Sequence, residues 1–270
     1  ELKEDLTACD ILIGVKEVNK PDLIPGKKDL FFSHTYKEQP YNRALLQEIL
    51  DKKIQLIDYE VMTNPNGRRI IGFGRYAGIV GCYNGFLTYG QKHKLYSLKA
   101  ANLCEDRVEM ESELAKIKLP SDTKIVLTGW GRVGNGAREV IEKIGLKEVD
   151  AASFLNDSFD EPVFTQLDVS LYNTPKDGSD FSKSDFYADG SGFNSTFINY
   201  MKVANMYVAC HYWDASSPFI FTREDLKNPD SKLSVVADIS CDIDGPVAST
   251  IRPSTIADPM YGYNPATEKE

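Results

Sequence analysis

Apolar and polar positions along this chain switch repeatedly between the period of a strand and that of a helix. Ile11-Leu12-Ile13-Gly14-Val15 reads as a short buried strand, Asp29-Leu30-Phe31-Phe32-Ser33 as a second, and Ile54-Gln55-Leu56-Ile57-Asp58 as a third. Between the last two, Leu45, Leu46, Ile49 and Leu50 form one stripe of a helix over 41–52. Pro65-Asn66-Gly67 marks a turn, and the stretch after it passes into Ala77-Gly78-Ile79-Val80-Gly81, a small-residue helix suited to close packing. Residues 101–118 are charged and helical in character, and Pro120-Ser121-Asp122 resets the chain. A β-branched strand, Lys124-Ile125-Val126-Leu127, then leads into a glycine-rich turn and the helical pattern of 138–145. Residues 172–195 have little period and read as a long loop or insertion. Helical character returns over 197–205, followed by strands over 206–210 and 234–239. Strands alternating with helices predict an α/β fold whose parallel sheets are covered on both faces.

Composition narrows the class of function. The 270 residues suffice for one large domain or two ordinary ones, and 42% hydrophobic with 26% charged residues is a globular balance. A net charge of −9 disfavours a nucleic acid or an anionic membrane as partner. No apolar run approaches bilayer length. The five cysteines are scattered without a C-x-x-C pair, so zinc or a redox pair is a poor reading, no metal is expected, and a reducing cytoplasm is favoured. The chain lacks an initiator Met and a signal peptide, and its first residues lead at once into an apolar run; it is expected to be a fragment.

The run Thr128-Gly129-Trp130-Gly131-Arg132-Val133-Gly134-Asn135-Gly136 carries the first chemistry. G-x-G-x-x-G between a strand and a helix is the arrangement that binds a dinucleotide. Gly129 would make the tight turn, Gly131 would let backbone approach a pyrophosphate, and Gly134 would let helix and strand pack closely. The helix N-terminus offers N–H groups to the phosphates. Taken alone, such a motif is also an ordinary turn. The acid that takes the ribose lies about 20 residues further on, which selects Asp150 among several neighbouring acids. Lys147 precedes these acids rather than following them, which favours NAD over NADP.

Ligands in open α/β sheets sit at the carboxyl ends of strands. Lys16-Glu17 follows the first strand, His34 the second, and Asp238 stands in the last. Each has an ordinary reading too: a lysine–glutamate pair is commonly a solvated loop and a single histidine commonly structural. His93 lies between lysines as a surface residue, and His211 fits a site or a packed core equally well. Arg68-Arg69 would bind carboxylates or face water.

Gly14-Val15-Lys16-Glu17, Phe32-Ser33-His34-Thr35-Tyr36-Lys37-Glu38-Gln39, Leu56-Ile57-Asp58-Tyr59-Glu60, Gly67-Arg68-Arg69, Phe73-Gly74-Arg75-Tyr76-Ala77-Gly78, the glycine run, and Ala237-Asp238-Ile239-Ser240-Cys241-Asp242 occur in this order. The set resembles the NAD-dependent, lysine-forming saccharopine dehydrogenases of the alanine dehydrogenase and transhydrogenase superfamily, over nearly the whole chain. The resemblance implies two Rossmann-like, doubly wound domains with the site in the cleft between them. It divides the chain into an incomplete substrate and catalytic domain over 1–103, a linking helix over 104–120, an NAD-binding domain over 121–250, and the start of a return to the first domain over 251–270. In such enzymes a further strand and helix with ligand-binding charges come first, so the resemblance also implies that this chain is cut at both ends.

Carried over by position, Lys16 and His34 match the catalytic lysine and histidine, and Glu17 and Glu60 the acids beside them. Lys37 and Arg69 match cations near the substrate carboxylates. Gly129, Gly131, Arg132, Val133 and Gly134 match the cofactor turn, and Asp238 the aspartate at the nicotinamide end. Some relatives carry Cys where Val133 stands, and 172–195 is longer than in the relatives. The implied partner is a small-molecule substrate; the oligomeric state is not legible. An alanine dehydrogenase, or a relative that binds NAD without turnover, are the alternative readings.

Overall fold

The computed structural model describes residues 4–38 and 40–270, with Lys37 described by its backbone alone. The chain divides into two compact units, Glu1–Phe73 and Gly74–Glu270.

The first unit is a parallel three-stranded sheet in the order β1 (Ile11–Ile13), β2 (Lys28–Phe31), β3 (Gln55–Asp58). Helix α1 (Arg43–Asp51) connects β2 to β3. Leu45 and Ile49 of the predicted stripe are buried with Leu23, Phe31 and Ile54 in a small core. Leu46 and Leu50 of the same stripe are exposed. The expectation of a buried first strand fails: β1 is an edge strand, and Ile11 and Ile13 are 54% and 74% exposed.

The second unit opens with α2 (Gly74–His93), a helix whose buried side belongs to its main core. The expected boundary near residue 103 therefore lies inside this unit. The reason is a seam of backbone on backbone. A Cβ on Gly78 would fall 1.9 Å from the Val133 carbonyl oxygen, and one on Gly136 would fall 2.0 Å from that of Arg75. Glycines alone allow this approach, and they tie α2 to α4 (Arg132–Ile144). In place of a linking helix over 104–120 stands the short α3 (Arg107–Glu113) and a 3-10 turn, with Met110 and Leu114 in the same core.

The second unit's parallel sheet holds β4 (Lys124–Thr128), β5 (Lys147–Glu148), β6 (Val163–Leu167), β9 (Met206–Ala209) and β10 (Val235–Asp238) in the order β10-β9-β4-β6-β5. Successive side chains of β4 face opposite ways: Ile125 and Leu127 meet the core of α2 and α4, and Val126 meets the other. That second core is built from Phe154 of α5 (Ala151–Asn156), Phe186 of α6 (Lys183–Ala188), Tyr200 of α7 (Ile198–Met201) and aromatic neighbours. The sheet is thus doubly wound, as expected of an α/β fold.

Two elements depart from the sequence pattern. Strand β6 is not foreshadowed by it, because Thr165 and Gln166 interrupt the apolar run although both are buried. Residues 172–195 form ordered secondary structure rather than a long loop. β7 (Asn173–Pro175) and β8 (Phe193–Ser195) pair antiparallel around α6. Phe181 and Phe186 close on Phe193 at ring-centroid distances of 5.4 and 5.1 Å. Among the described residues, α8 (Arg223–Leu226) precedes β10, and no helix is long and apolar enough to cross a membrane.

Candidate functional site

In the first unit the candidate residues gather at the carboxyl ends of all three strands. Backbone bonds from Gly14 N to the Leu30 carbonyl (2.8 Å) and from Phe32 N to the Val15 carbonyl (3.2 Å) extend the pairing beyond β1. They hold Lys16 and Glu17 beside the loop that carries His34. His34 adopts left-handed backbone, φ 53°, a conformation that costs a non-glycine residue about 1–3 kcal/mol.

The loop is fixed in that shape by Asp58 at the end of β3. Ser33 donates its hydroxyl to Asp58 Oδ2 at 2.5 Å and its N–H to Oδ1 at 3.4 Å, while Glu60 N donates to Oδ1 at 2.8 Å. One buried carboxylate therefore joins the turns after β2 and β3. Thr35 N completes the clamp on Ser33 Oγ at 3.0 Å. Sequence reasoning passed over Asp58 and Ser33; their signal is a short acid and a hydroxyl at the ends of neighbouring strands.

His34 Nδ1 lies 2.7 Å from Glu17 Oε1, yet the approach is off the direction of a ring N–H bond. The contact is electrostatic when the ring is protonated, and it is close enough to become a hydrogen bond with a small ring rotation. Phe32 packs beside His34, 6.3 Å between centroids, and edge-on to Tyr59. Over the Phe32 ring, 5.7 Å from its centroid, sits the Arg69 guanidinium. Arg69 also reaches Glu60 Oε1 at 3.3 Å, and Glu60 is buried. The unit thus brings together Glu17, His34, Glu60 and Arg69, with Lys16 exposed on the neighbouring turn. The Lys37 side chain lies outside the described residues. A carboxylate beside an imidazole sets which ring nitrogen holds the proton, which is the equipment of a general acid or base.

In the second unit the glycine turn has the form expected of it. Gly129 has φ +94°, and a Cβ there would strike the Cys210 carbonyl at 2.4 Å. A Cβ on Gly134 would fall 2.1 Å from the Gly129 carbonyl oxygen, so the start of α4 rests directly on the turn. At Gly131 nothing lies within 4 Å of a built Cβ. Gly131 is the N-cap of α4 and brings no side chain to the helix's leading N–H groups. An unblocked cradle at a helix N-terminus fits the pyrophosphate of a dinucleotide. Arg132 begins α4, and the Val133 side chain packs against the α2 core, so the cofactor contact expected of Val133 falls to its backbone N–H in the first turn of the helix.

Asp150 requires correction as the ribose acid. Strand β5 is an edge, separated from β4 by β6, so Asp150 is not on the strand beside the glycine turn. Its Oδ1 instead caps α5, accepting from Ala152 N and Ser153 N, both at 3.0 Å. Asp238 stands at the carboxyl end of β10 as expected. Its carboxylate is engaged by Ser240 N and Oγ (3.1 and 2.5 Å), Cys241 N (3.3 Å) and Thr250 Oγ1 (2.5 Å). It organises the loop after the strand.

The structure resolves His211 in favour of the core. The ring is buried, with Nδ1 3.3 Å from both Thr128 Oγ1 and Tyr207 Oη. Burial lowers its pKa to about 4, against a smaller raising effect of Asp238. An unfolded chain takes up this proton below about pH 6.5 and the folded one only near 4, so stability falls as pH drops through that window. The loss is expected to reach about 3 kcal/mol. His211→Gln should flatten the pH dependence of the urea midpoint between pH 6.5 and 4; an unchanged slope would refute the assignment. Burial also pushes the Cys82 and Cys210 thiols up, which keeps them protonated and inert. Among the described residues, no three His, Cys, Asp or Glu side chains are grouped to hold a metal.

No family model matches the chain. It is 27% identical over 307 aligned positions to the alpha-aminoadipic semialdehyde synthase of Arabidopsis thaliana, covering 98% of this chain and 28% of that protein. With the mitochondrial alpha-aminoadipic semialdehyde synthase of Rattus norvegicus it shares 28% identity, over 97% of this chain and 33% of the relative. With the lysine-forming, NAD+-linked saccharopine dehydrogenase of Candida glabrata it shares 25%, over 87% and 58%. The chain spans about a third or less of the synthases and just over half of the yeast enzyme. Its homologues are therefore these synthases and dehydrogenases, in line with the resemblance carried by the motifs. An L-alanine dehydrogenase aligns in structure with a TM-score of 0.44 at 10% identity, over 84% of this chain and 54% of that one.

Proposed function

We propose that this chain belongs to an oxidoreductase that acts on the CH–NH bond of an amino acid, with NAD as its cofactor. Its reaction is the oxidative cleavage of saccharopine by NAD+ and water to lysine, 2-oxoglutarate, NADH and a proton, or the reverse. The reading rests above all on the Glu17–His34 pair at the strand ends, and the names of the homologues support it.

The cofactor fits the second unit: Gly129, Gly131 and Gly134 and the leading N–H groups of α4 would hold its phosphates. When bound, it supplies a hydride acceptor or donor. The remaining chemistry falls to the first unit. Lys16 is assigned the proton of the substrate's secondary amine; the role needs a neutral amine, so the exposed side chain has to be desolvated when substrate covers its turn. His34, with Glu17 Oε1 2.7 Å from its Nδ1, passes the proton of the water that adds across the resulting carbon–nitrogen double bond. Arg69, braced by Glu60, receives a substrate carboxylate, for which a guanidinium fork is shaped. Asp238 keeps the loop beyond β10 ordered. The free cysteines agree with a reducing compartment, and cytoplasm or mitochondrion are the two we assign.

Oxidation of NADH by the protein completed at both ends, in the presence of lysine and 2-oxoglutarate compared with ammonia and pyruvate, tests the proposal. Turnover with the first pair only is expected. Turnover with the second pair only would move the activity to an alanine dehydrogenase type. NADH binding with no turnover of either pair would leave a nucleotide-binding relative.

A further inference from the structure

Trp130 and Arg138, in and just after the glycine motif, have no part in the function proposed above. Arg138, in α4, donates Nε to Glu142 Oε1 at 2.6 Å and spreads Nη1 and Nη2 over the two oxygens of Glu148, at 2.7 and 2.6 Å. Its Nη1 also donates to Gln166 Oε1 at 3.0 Å. Gln166 is buried in β6, and its Nε2 donates to the Gly129 carbonyl at 2.8 Å. A chain of polar contacts therefore runs from the edge strand β5, through α4 and β6, to the carbonyl of the turn's first glycine. The guanidinium also stands 5.7 Å from the centroid of the Trp130 ring and 5.6 Å from that of Phe164.

Each link has a direction. A guanidinium only donates, so the Gln166 amide must turn Oε1 toward Arg138 and Nε2 toward the turn. Reversed, it would set an N–H group against the guanidinium and an oxygen against the Gly129 carbonyl, leaving buried polar groups unpaired. Nε2 in turn fixes the direction of the Gly129 carbonyl. In a planar trans peptide the carbonyl and the following N–H point opposite ways. With the Gly129 carbonyl held on Gln166, the Trp130 N–H points away from Gln166.

We propose that Arg138 is a positioning residue for the dinucleotide, acting through Gln166: the pair sets the Gly129–Trp130 peptide so that the Trp130 N–H joins the leading N–H groups of α4 in the pyrophosphate cradle. The inference rests on the dinucleotide reading above. Glu142 and Glu148 match the charge of Arg138, so its part is to give direction and not to attract phosphate. Lysine cannot replace it, because a single ammonium has no planar fork to reach Glu148 and Gln166 together. The two-residue strand β5 gains a use as well, since Glu148 anchors the relay on the far side of β6.

NADH titration followed by fluorescence, together with thermal melts, tests this on Gln166→Glu and Arg138→Lys. Glutamate has nearly the shape of glutamine and still accepts from Arg138, but it offers the Gly129 carbonyl no donor. Each variant is expected to weaken NADH binding about tenfold or more. Trp130 supplies a second readout, one that a merely structural role would not move. In a Trp213→Phe background, where Trp130 is the sole tryptophan, its emission without ligand should shift in Gln166→Glu, because the peptide that carries the indole is released. Should Gln166→Glu melt below the titration temperature, Arg138→Lys decides by its NADH affinity. NADH affinity within about twofold of wild type in either folded variant, or an unmoved Trp130 emission in folded Gln166→Glu, would overturn the inference and leave the dinucleotide reading standing. Failure of wild type to bind NADH would overturn both.

Discussion

In the protein completed at both ends, replacing His34 by glutamine is expected to lower the proposed turnover with lysine and 2-oxoglutarate about 10²–10⁴-fold, the usual consequence of removing a positioned general acid or base. The effect falls on kcat, because the groups assigned to the nucleotide lie in the second unit and do not include His34. Glutamine removes the ring that Glu17 approaches at 2.7 Å but leaves Asp58 and Ser33 to hold the loop. The left-handed backbone at position 34 calls for a second variant. Asparagine tolerates that conformation better than most residues, so His34→Asn separates loss of the imidazole from strain in the loop. Lys16→Met should fall in the same range. Stopped-flow measurement of NADH oxidation and a separate NADH titration provide the check. Wild-type turnover in both His34→Gln and Lys16→Met would end the proposed assignment.

The second large effect comes from two glycines three residues apart that look interchangeable in the motif. Gly134→Ala places a methyl group 2.1 Å from the Gly129 carbonyl oxygen, a backbone atom that cannot rotate away. The turn and the start of α4 must separate, at an expected cost of about 1–3 kcal/mol, and the cradle is lost with them. Gly131→Ala meets nothing within 4 Å and has φ −80°, which alanine adopts freely. Its stability should shift by no more than about 1 kcal/mol, since the stiffer unfolded chain offsets the poorer cap. NADH affinity should nevertheless fall about tenfold or more, because the methyl group occupies space reserved for phosphate and displaces its hydrogen bonds. Urea titration and NADH titration of the two variants separate them. Unaltered NADH binding in Gly131→Ala would remove the case for a nucleotide at this turn.

The glycine turn was legible in the sequence because each of its requirements is local: a strand before, a helix after, two glycines where a side chain does not fit and a third that leaves the helix N-terminus open. The strand-end placement of Lys16, Glu17 and His34 was legible for a similar reason, as apolar runs mark where strands stop. Asp150 was misread because spacing along the chain stands in for neighbourhood in a sheet only when strands follow one another in order. Here β6 enters between β4 and β5, so the strand beside the glycine turn is not the one that Asp150 follows. β6 itself was hidden by its polar members. Gln166 is tolerated inside because its Nε2 bonds the Gly129 carbonyl at 2.8 Å and its Oε1 accepts from Arg138 at 3.0 Å. Such satisfaction of a buried amide is a tertiary event with no period to reveal it. The ordered segment over 172–195 was hidden likewise, since a cluster of aromatic rings has no period along the chain.

The seam between α2 and α4 has a consequence for how the second unit opens. Side-chain interfaces loosen by degrees, one rotamer at a time. Where Gly78 and Gly136 bring two backbones together there is no rotamer to change. The two helices are then bound to a single opening event, one cooperative foldon in which amides of both exchange with solvent together. The nucleotide cradle at the head of α4 inherits that rigidity from a helix nearly 60 residues earlier in the chain.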